Sequence, residues 1–181
     1  MTDDAVALEP LQRAVAQLDR VVGAVRPEDA GLPTPCRSWT VQQVIGHVVH
    51  DLGQFTVAAR GGEADYSGDP PTIAPAEWSD RVHADTETLL AAWREADDFG
   101  ALGLQIPELT LHAWDIAQAA VPDAELDPDL AERSLAVMSG MLAPEYRGAE
   151  SDGKSFGPEV AAPDDASAYE RLAAFSGRQP R

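Results

Sequence analysis

The hydrophobic residues of this chain recur mostly at steps of three and four, the spacing that gathers side chains on one face of an α-helix. Leu11, Val15, Leu18 and Val22 follow this spacing and predict a first helix within residues 5–25. The same pattern predicts further helices over residues 40–59, 78–93, 107–120 and 127–142. Each of these segments has an apolar stripe that must be buried against another helix.

Helix-capping residues and helix breakers mark the ends of these segments. The stretch "TVQQ" at residues 40–43 is a capping box that opens the second helix, and Gly61 and Gly62 end it. Pro107 suits the first turn of the fourth helix, and Asp127 with Pro128 starts the next one. The segment "DDASAYERLAAFSG" predicts a short closing helix with Gly177 as its C-cap.

Strand-like alternation is nearly absent from the sequence. Residues 143–163 have a loop-like composition, in which "FGPEV" at residues 156–160 is compatible with one short strand. We therefore predict an all-α fold, an antiparallel four-helix bundle with an extra short C-terminal helix. The length of 181 residues suits a single domain over residues 1–181.

The charge balance excludes several classes of partner. The chain has 31 acidic and 13 basic residues, and its net charge of -18 repels nucleic acids and anionic membranes. No apolar run approaches the length of a membrane span, and the N-terminus lacks the basic start of a secretory signal. A cytoplasmic location is expected, and the single cysteine, Cys36, agrees with a reducing compartment.

The four histidines separate according to the helix face that each one occupies. His112 lies about 60° from the centre of its apolar stripe, and His47 lies about 110° from the centre of its own stripe. Both can reach a shared interior. His50 falls almost opposite its stripe and is expected in solvent, where His83 is also expected, paired with Glu87.

A candidate metal site follows from this placement. Glu108 and His112 are four residues apart, so both side chains can reach one ion from the same side of a helix, and His47 is the best third ligand. The alternative is a capped first turn and a helical hydrogen bond, because E-x-x-x-H is a common spacing. A buried carboxylate needs a partner in either case.

Three stretches of the chain, "LPTPCRSWTVQQVIGHVVH", "ELTLHAWDIAQA" and "FGPEVAAPDDASAYERLAAFSGRQP", resemble a known family. They are similar to actinobacterial metal-binding proteins related to the N-terminal domain of mycothiol-dependent maleylpyruvate isomerase, within the DinB-like superfamily. The resemblance implies a DinB-like helical bundle that holds one divalent metal through a helix-two histidine and a Glu-x-x-x-His pair. These positions match His47, Glu108 and His112 in this sequence.

The resemblance also implies chemistry of low-molecular-weight thiols such as mycothiol, in an isomerase or S-transferase reaction with an electrophilic substrate. The 181 residues leave no room for the separate C-terminal domain of the full-length isomerase, so maleylpyruvate is not implied as the substrate. Two histidines and one carboxylate favour zinc, with nickel, iron or manganese as alternatives. The competing interpretation is a non-catalytic metal-binding sensor or interaction module. Either a monomer or a homodimer fits.

Several further residues have two interpretations each. Asp115, three residues after His112, can orient that ligand or pair with Arg37 or another arginine. Cys36 can be a redox nucleophile, but burial as a small hydrophobic residue is favoured. Trp39 and Trp114 can wall a pocket above the metal, although Trp114 is better placed for packing between helices.

Overall fold

Six α-helices make up the regular structure of residues 3–36 and 38–179, the part of the chain that the computed structural model describes. They are α1 (Asp3–Gly23), α2 (Val41–Ala59), α3 (Trp78–Arg94), α4 (Leu102–Ala120), α5 (Pro128–Met141) and α6 (Ala168–Phe175). Short 3₁₀ turns lie in the connections. The predicted all-α fold class is confirmed.

The first four helices form a bundle in which α1 and α2 each pack against both α3 and α4. Consecutive helices α1 and α2 are therefore diagonal to each other, and α2 has α4 as a direct neighbour. Buried side chains from all four helices share one hydrophobic core, which includes Leu18, Ile45, Leu89 and Leu109. The pairing of α2 with α4 brings the predicted metal ligands onto facing helices.

Helix α4 is buried on two sides. Leu109, Ala113 and Ile116 face the core of the bundle, whereas Leu111 and Trp114 pack in a second apolar cluster with α5 and α6. A helix that is apolar around most of its circumference is stable only when it has neighbours on both sides. The expectation that Trp114 packs between helices is confirmed.

Helix α4 begins five residues earlier than the sequence predicted. Leu102 and Ile106 lie one turn apart and are both buried, so the apolar stripe continues before Pro107. Pro107 consequently lies inside the helix, where it omits one backbone hydrogen bond close to the helix start. The first-turn placement of Pro107 and Glu108 is therefore wrong, and Glu108 lies in the second turn.

The other predicted helix ends are present in the structure. Thr40 and Gln43 form the capping box of α2, and the Asp127 carboxylate accepts a hydrogen bond from the amide of Asp129 at the start of α5. Gly177 follows α6 with a φ of 84°. The stretch "FGPEV", whose composition was compatible with a short strand, forms only an isolated bridge between Arg147 and Phe156, and no strand occurs elsewhere in residues 3–36 and 38–179.

The connection between α2 and α3 folds back over the outer face of α2. A Cβ on Gly46 would lie 2.5 Å from the carbonyl oxygen of Pro71, so only glycine permits this approach. The amide of Asp65 donates a hydrogen bond to the Gln54 side chain. This loop covers a helix face that the sequence pattern leaves open to solvent.

Candidate metal centre

His47 on α2 and Glu108 and His112 on α4 converge on one point between the two helices. Nε2 of His47 donates a hydrogen bond of 3.0 Å to Oε1 of Glu108, and Nε2 of His112 lies 2.8 Å from the same oxygen. The two imidazole rings meet edge to face with centroids 4.9 Å apart. The three ligand atoms all lie within 4.8 Å of one another.

The three side chains differ in exposure. His112 is 5% exposed, whereas His47 and Glu108 are 22% and 28% exposed, so the cluster is closed at His112 and open at His47 and Glu108. Its open side meets a pocket with a volume of about 720 Å³. Trp39 packs on the His47 ring with centroids 4.9 Å apart and forms part of the pocket wall. A cluster of this shape can bind a small molecule next to the three ligand atoms.

The charges inside the cluster stabilise one another. Burial alone would raise the pKa of Glu108, but the adjacent His112 and His47 hold that pKa well below its usual range. Burial opposes the charged form of His112, yet Glu108 and Asp115 raise the pKa of His112 well above its usual value. A cationic His112 therefore compensates the partly buried Glu108 carboxylate in this state, which is a role that a metal ion can also fill.

The second ring nitrogen of His112 has its own partner. Nδ1 of His112 donates a hydrogen bond of 3.0 Å to Oδ2 of Asp115, which is fully buried. This bond holds Nδ1 protonated and leaves Nε2 as the nitrogen that faces Glu108 and His47 and that could bind a metal ion. The predicted orienting contact between Asp115 and His112 is therefore present.

The predicted ion pair of Asp115 is present as well, with a distant arginine. Nε and Nη2 of Arg178 donate hydrogen bonds of 2.8 Å to the two oxygens of Asp115. Burial raises the pKa of Asp115, but Arg178 and His112 hold it below its usual range. Arg37, the other predicted partner, lies outside the described residues.

The backbone after α6 directs Arg178 into the interior. The amide of Gly177 donates to the carbonyl of Ala174, and the amide of Arg178 donates to the carbonyl of Ala173, which together form a Schellman motif. Gly177 takes the left-handed conformation that this motif requires. The chain thus turns sharply at the end of α6, and the Arg178 guanidinium reaches Asp115 on α4.

Cys36 is buried at 3% exposure within the hydrophobic core, as expected, but its sulfur also has polar neighbours. Nη2 of Arg178 lies 3.2 Å from the Cys36 sulfur, and Cys36, His112 and Asp115 form a second group with ligand atoms within 4.8 Å of one another. Arg178 already pairs with Asp115 and places a positive charge beside the sulfur. This group is therefore a poorer cation site than the group of His47, Glu108 and His112.

Asp51 is a site residue that the sequence analysis missed. It lies one turn after His47 on α2, and its Oδ2 is 3.4 Å from Nε2 of His47. Burial raises the pKa of the Asp51 carboxyl group, and the negative charge of the nearby Glu108 raises it further. The H-x-x-x-D spacing from His47 to Asp51 was the available signal, because residues four apart share a helix side.

The two remaining histidines depart from the sequence predictions. The prediction that His50 is solvated is wrong, because its side chain is only 13% exposed, lies against Gly68 of the covering loop and contacts Asp51. His83 is 66% exposed, as predicted, but its partner is Asp19 of α1 rather than Glu87. Asp19 raises the pKa of His83. Neither histidine belongs to the cluster.

The fold is a helical bundle with a histidine–carboxylate cluster between helices α2 and α4. Residues 11–117 match the family described as the mycothiol maleylpyruvate isomerase N-terminal domain, and the chain belongs to this family. The matched range includes His47, Asp51, Glu108 and His112, but it ends before Arg178. The family resemblance expected from the sequence is thereby confirmed.

Two relatives from Mycobacterium tuberculosis are similar over nearly all of the chain. Uncharacterized proteins of strain CDC 1551 / Oshkosh and of strain H37Rv are each 30% identical over 185 residues, which covers 96% of this chain and 100% of each relative. No solved structure matches the chain significantly. Among the helices that the structure describes, none has the length and apolar character needed to cross a membrane.

Proposed function

We propose that this protein binds one divalent metal ion through His47, Glu108 and His112 and uses it in the chemistry of a low-molecular-weight thiol. The observation that carries this proposal is the convergence of three ligand atoms from two facing helices at the base of an open pocket. Three protein ligands with an open position are typical of catalytic metal sites, whereas structural zinc sites are closed by four.

The donor set fits a divalent ion. Metal–ligand bonds of about 2.1 Å place neighbouring donor atoms about 3.0 to 3.4 Å apart, and the distances from Glu108 to His47 and His112 are 3.0 and 2.8 Å. Two imidazoles and one carboxylate suit zinc best, and iron, nickel and manganese accept the same set. Asp115 adds the hydrogen bond that metal-bound histidines normally make through their second nitrogen.

The family description supports a thiol as the reacting partner, with mycothiol as the first compound to test. A bound divalent ion would supply the positive charge that lowers the pKa of a coordinated thiol. In this reaction Asp115 keeps the His112 ring in one tautomer, and Trp39 fixes His47 from the pocket side. The thiolate sulfur would form a bond to an electrophilic carbon, and the leaving group departs with its electron pair.

Metal content tests the first half of the proposal. Protein purified without a His-tag should contain about one equivalent of metal, and His112→Ala should lose it. His83→Ala is the matched control, because it removes an exposed histidine that contacts Asp19 outside the cluster. Equal metal contents in wild type and His112→Ala would contradict the assignment of the ligands.

Cobalt spectroscopy tests whether a low-molecular-weight thiol coordinates the bound metal. Addition of mycothiol to the cobalt-substituted protein should produce an intense sulfur-to-cobalt charge-transfer band, and Glu108→Gln should weaken cobalt binding by removing the only charged ligand. A fully occupied site that shows no such band would contradict thiol coordination. The protein would then be a metal-binding sensor or interaction module without turnover.

A further inference from the structure

Exposed apolar side chains are concentrated at the opening of the pocket above the candidate metal centre. Six large hydrophobic residues are exposed in the described part of the chain, and four of them line this pocket. These four, which we call the collar, are Tyr66, Leu104, Met141 and Tyr146, with exposures from 49% to 57%. Single exposed apolar residues are ordinary, but a cluster around a cavity indicates binding.

The collar is assembled from three separate chain segments. Tyr66 belongs to the loop that covers α2, and Leu104 belongs to the first turn of α4. Met141 is the last residue of α5, and Tyr146 lies in the 3₁₀ turn that follows it. Tyr66 also packs against Phe55 with ring centroids 5.9 Å apart. Convergence of unrelated segments on one opening argues against a chance exposure of any single residue.

The pocket wall between the collar and the metal ligands is also mostly apolar and aromatic. Phe55 and Leu111 line it from the bundle side, and Met138, Leu142 and Phe156 line it from α5 and the segment that follows. The pocket volume of about 720 Å³ is within the range of sites for ligands of drug-like size. A molecule that fills this space would replace water against mostly apolar and aromatic surface.

The charges of the pocket disfavour an anionic ligand. Three of its side chains are cationic, and each has a partner: His112 contacts Glu108, Arg178 binds Asp115, and Nζ of Lys154 donates a hydrogen bond of 2.7 Å to the carbonyl of Glu145. The lining also contains the carboxyl groups of Asp51, Glu108 and Glu145. A carboxylate or phosphate on the ligand would therefore lie near as many carboxyl groups as cations, and the pocket offers it no net positive charge.

We propose that this pocket binds an uncharged, apolar, ring-containing small molecule, which the collar admits and holds above the candidate metal centre. The inference rests on the proposed function in one respect: it identifies this molecule as the electrophile with which the thiol reacts. Binding itself depends on the pocket and can be measured without metal. The collar is then the part of the chain that determines specificity for the second substrate.

Two dyes that differ by one charge test this inference. N-phenyl-1-naphthylamine is neutral, and 1-anilinonaphthalene-8-sulfonate has the same ring system with a sulfonate added. Fluorescence titrations should show the neutral dye binding at least about tenfold more tightly to the full chain in the absence of zinc. Equal affinities, or no binding of the neutral dye, would overturn the proposal.

A pair of leucine variants locates the dye. Leu104→Gln should weaken binding of the neutral dye about five- to tenfold, because it removes apolar contact area from the collar. Leu32→Gln is the matched control, since Leu32 is also exposed but does not line the pocket, and its affinity should equal that of wild type. The same loss in both variants would overturn the assignment.

Two further readouts keep the outcomes distinct. Circular dichroism should show equal helix content in the variants, and Met141→Gln repeats the test at a second collar position if Leu104→Gln misfolds.

Sedimentation should show the same oligomeric state for wild type and Leu104→Gln. A change of oligomeric state without a change in dye affinity would place the collar in a subunit interface and overturn the ligand proposal. Dye binding to a protein that fails to bind metal would overturn the proposed function and leave the pocket inference standing.

Discussion

Asp115 and Arg178 form a buried ion pair in which Nε and Nη2 of the arginine each lie 2.8 Å from a carboxylate oxygen. The pair joins the middle of α4 to the segment after α6, across 63 residues of sequence. Because the same carboxylate accepts the Nδ1 hydrogen of His112, the end of the chain is coupled to the candidate metal centre. Stability and metal affinity should both depend on this contact.

Arg178→Met should lower the free energy of unfolding by about 3 to 5 kcal/mol, because it removes the guanidinium that pairs with both oxygens of the buried Asp115 carboxylate. Urea denaturation measures this change. Arg171→Met is the matched control, since Arg171 pairs with Glu132 at the surface and should cost at most about 1 kcal/mol. Similar losses of unfolding free energy in the two variants would show that the buried ion pair stabilises the fold no more than the exposed pair does.

Asp115→Asn should reduce metal affinity by about 10- to 100-fold, because the carboxylate that orients His112 and increases its basicity is lost. Competition with a chromophoric chelator gives the affinity directly. Asp19→Asn removes a carboxylate that contacts the exposed His83 and should leave metal affinity unchanged. An unchanged affinity in Asp115→Asn would contradict an orienting role for this residue.

Gly177→Ala should destabilise the protein by about 1 to 3 kcal/mol. The residue has a φ of 84°, and an added Cβ would lie 2.6 Å from the Cα of Gly157, so both the backbone and the neighbouring segment resist the change. Gly53→Ala is the contrasting variant: it lies inside α2 with open space around it and should stabilise by about 0.5 to 1 kcal/mol. Thermal unfolding of both variants should shift in opposite directions.

Metal loading should raise the melting temperature of the wild type, since the ion binds the folded state through ligands from α2 and α4 that the unfolded chain does not hold together. At 100 times the dissociation constant the stabilisation is about 2.7 kcal/mol. Glu108→Gln should show a smaller shift at the same zinc concentration. Identical shifts would mean that zinc binds elsewhere on the acidic surface.

The buried phenol of Tyr169 should make the stability of the fold depend on pH in the alkaline range. Burial raises its pKa to about 12, compared with about 10 in an unfolded chain. A raised pKa in the folded state stabilises the fold below pH 10, and this contribution of about 2 to 3 kcal/mol is lost between about pH 10 and 12. Tyr169→Phe should therefore lose less stability than wild type across this window in denaturation experiments. Parallel losses in the two proteins would contradict the assignment to Tyr169.

The sequence pattern by itself predicted the helices and most of their ends. Apolar spacing and capping residues act over one or two turns, so the capping box at Thr40 and the glycine at 177 could be identified without knowing any neighbour. The same periodicity placed His47, Glu108 and His112 towards the interior, and the family resemblance selected the same three. The structure brings these residues together, and their binding of metal remains a prediction.

Only the tertiary structure decided which distant segments meet. The loop over α2 buries His50, which the helix pattern places on an outer face, and Pro107 lies within α4 because Leu102 and Ile106 are buried by neighbouring helices. Arg178 could not be chosen from the sequence as the partner of Asp115, since their contact depends on how α6 docks beside α4. Local periodicity fixes the direction of a side chain on its helix, whereas its partner is fixed by the packing of elements far apart in sequence.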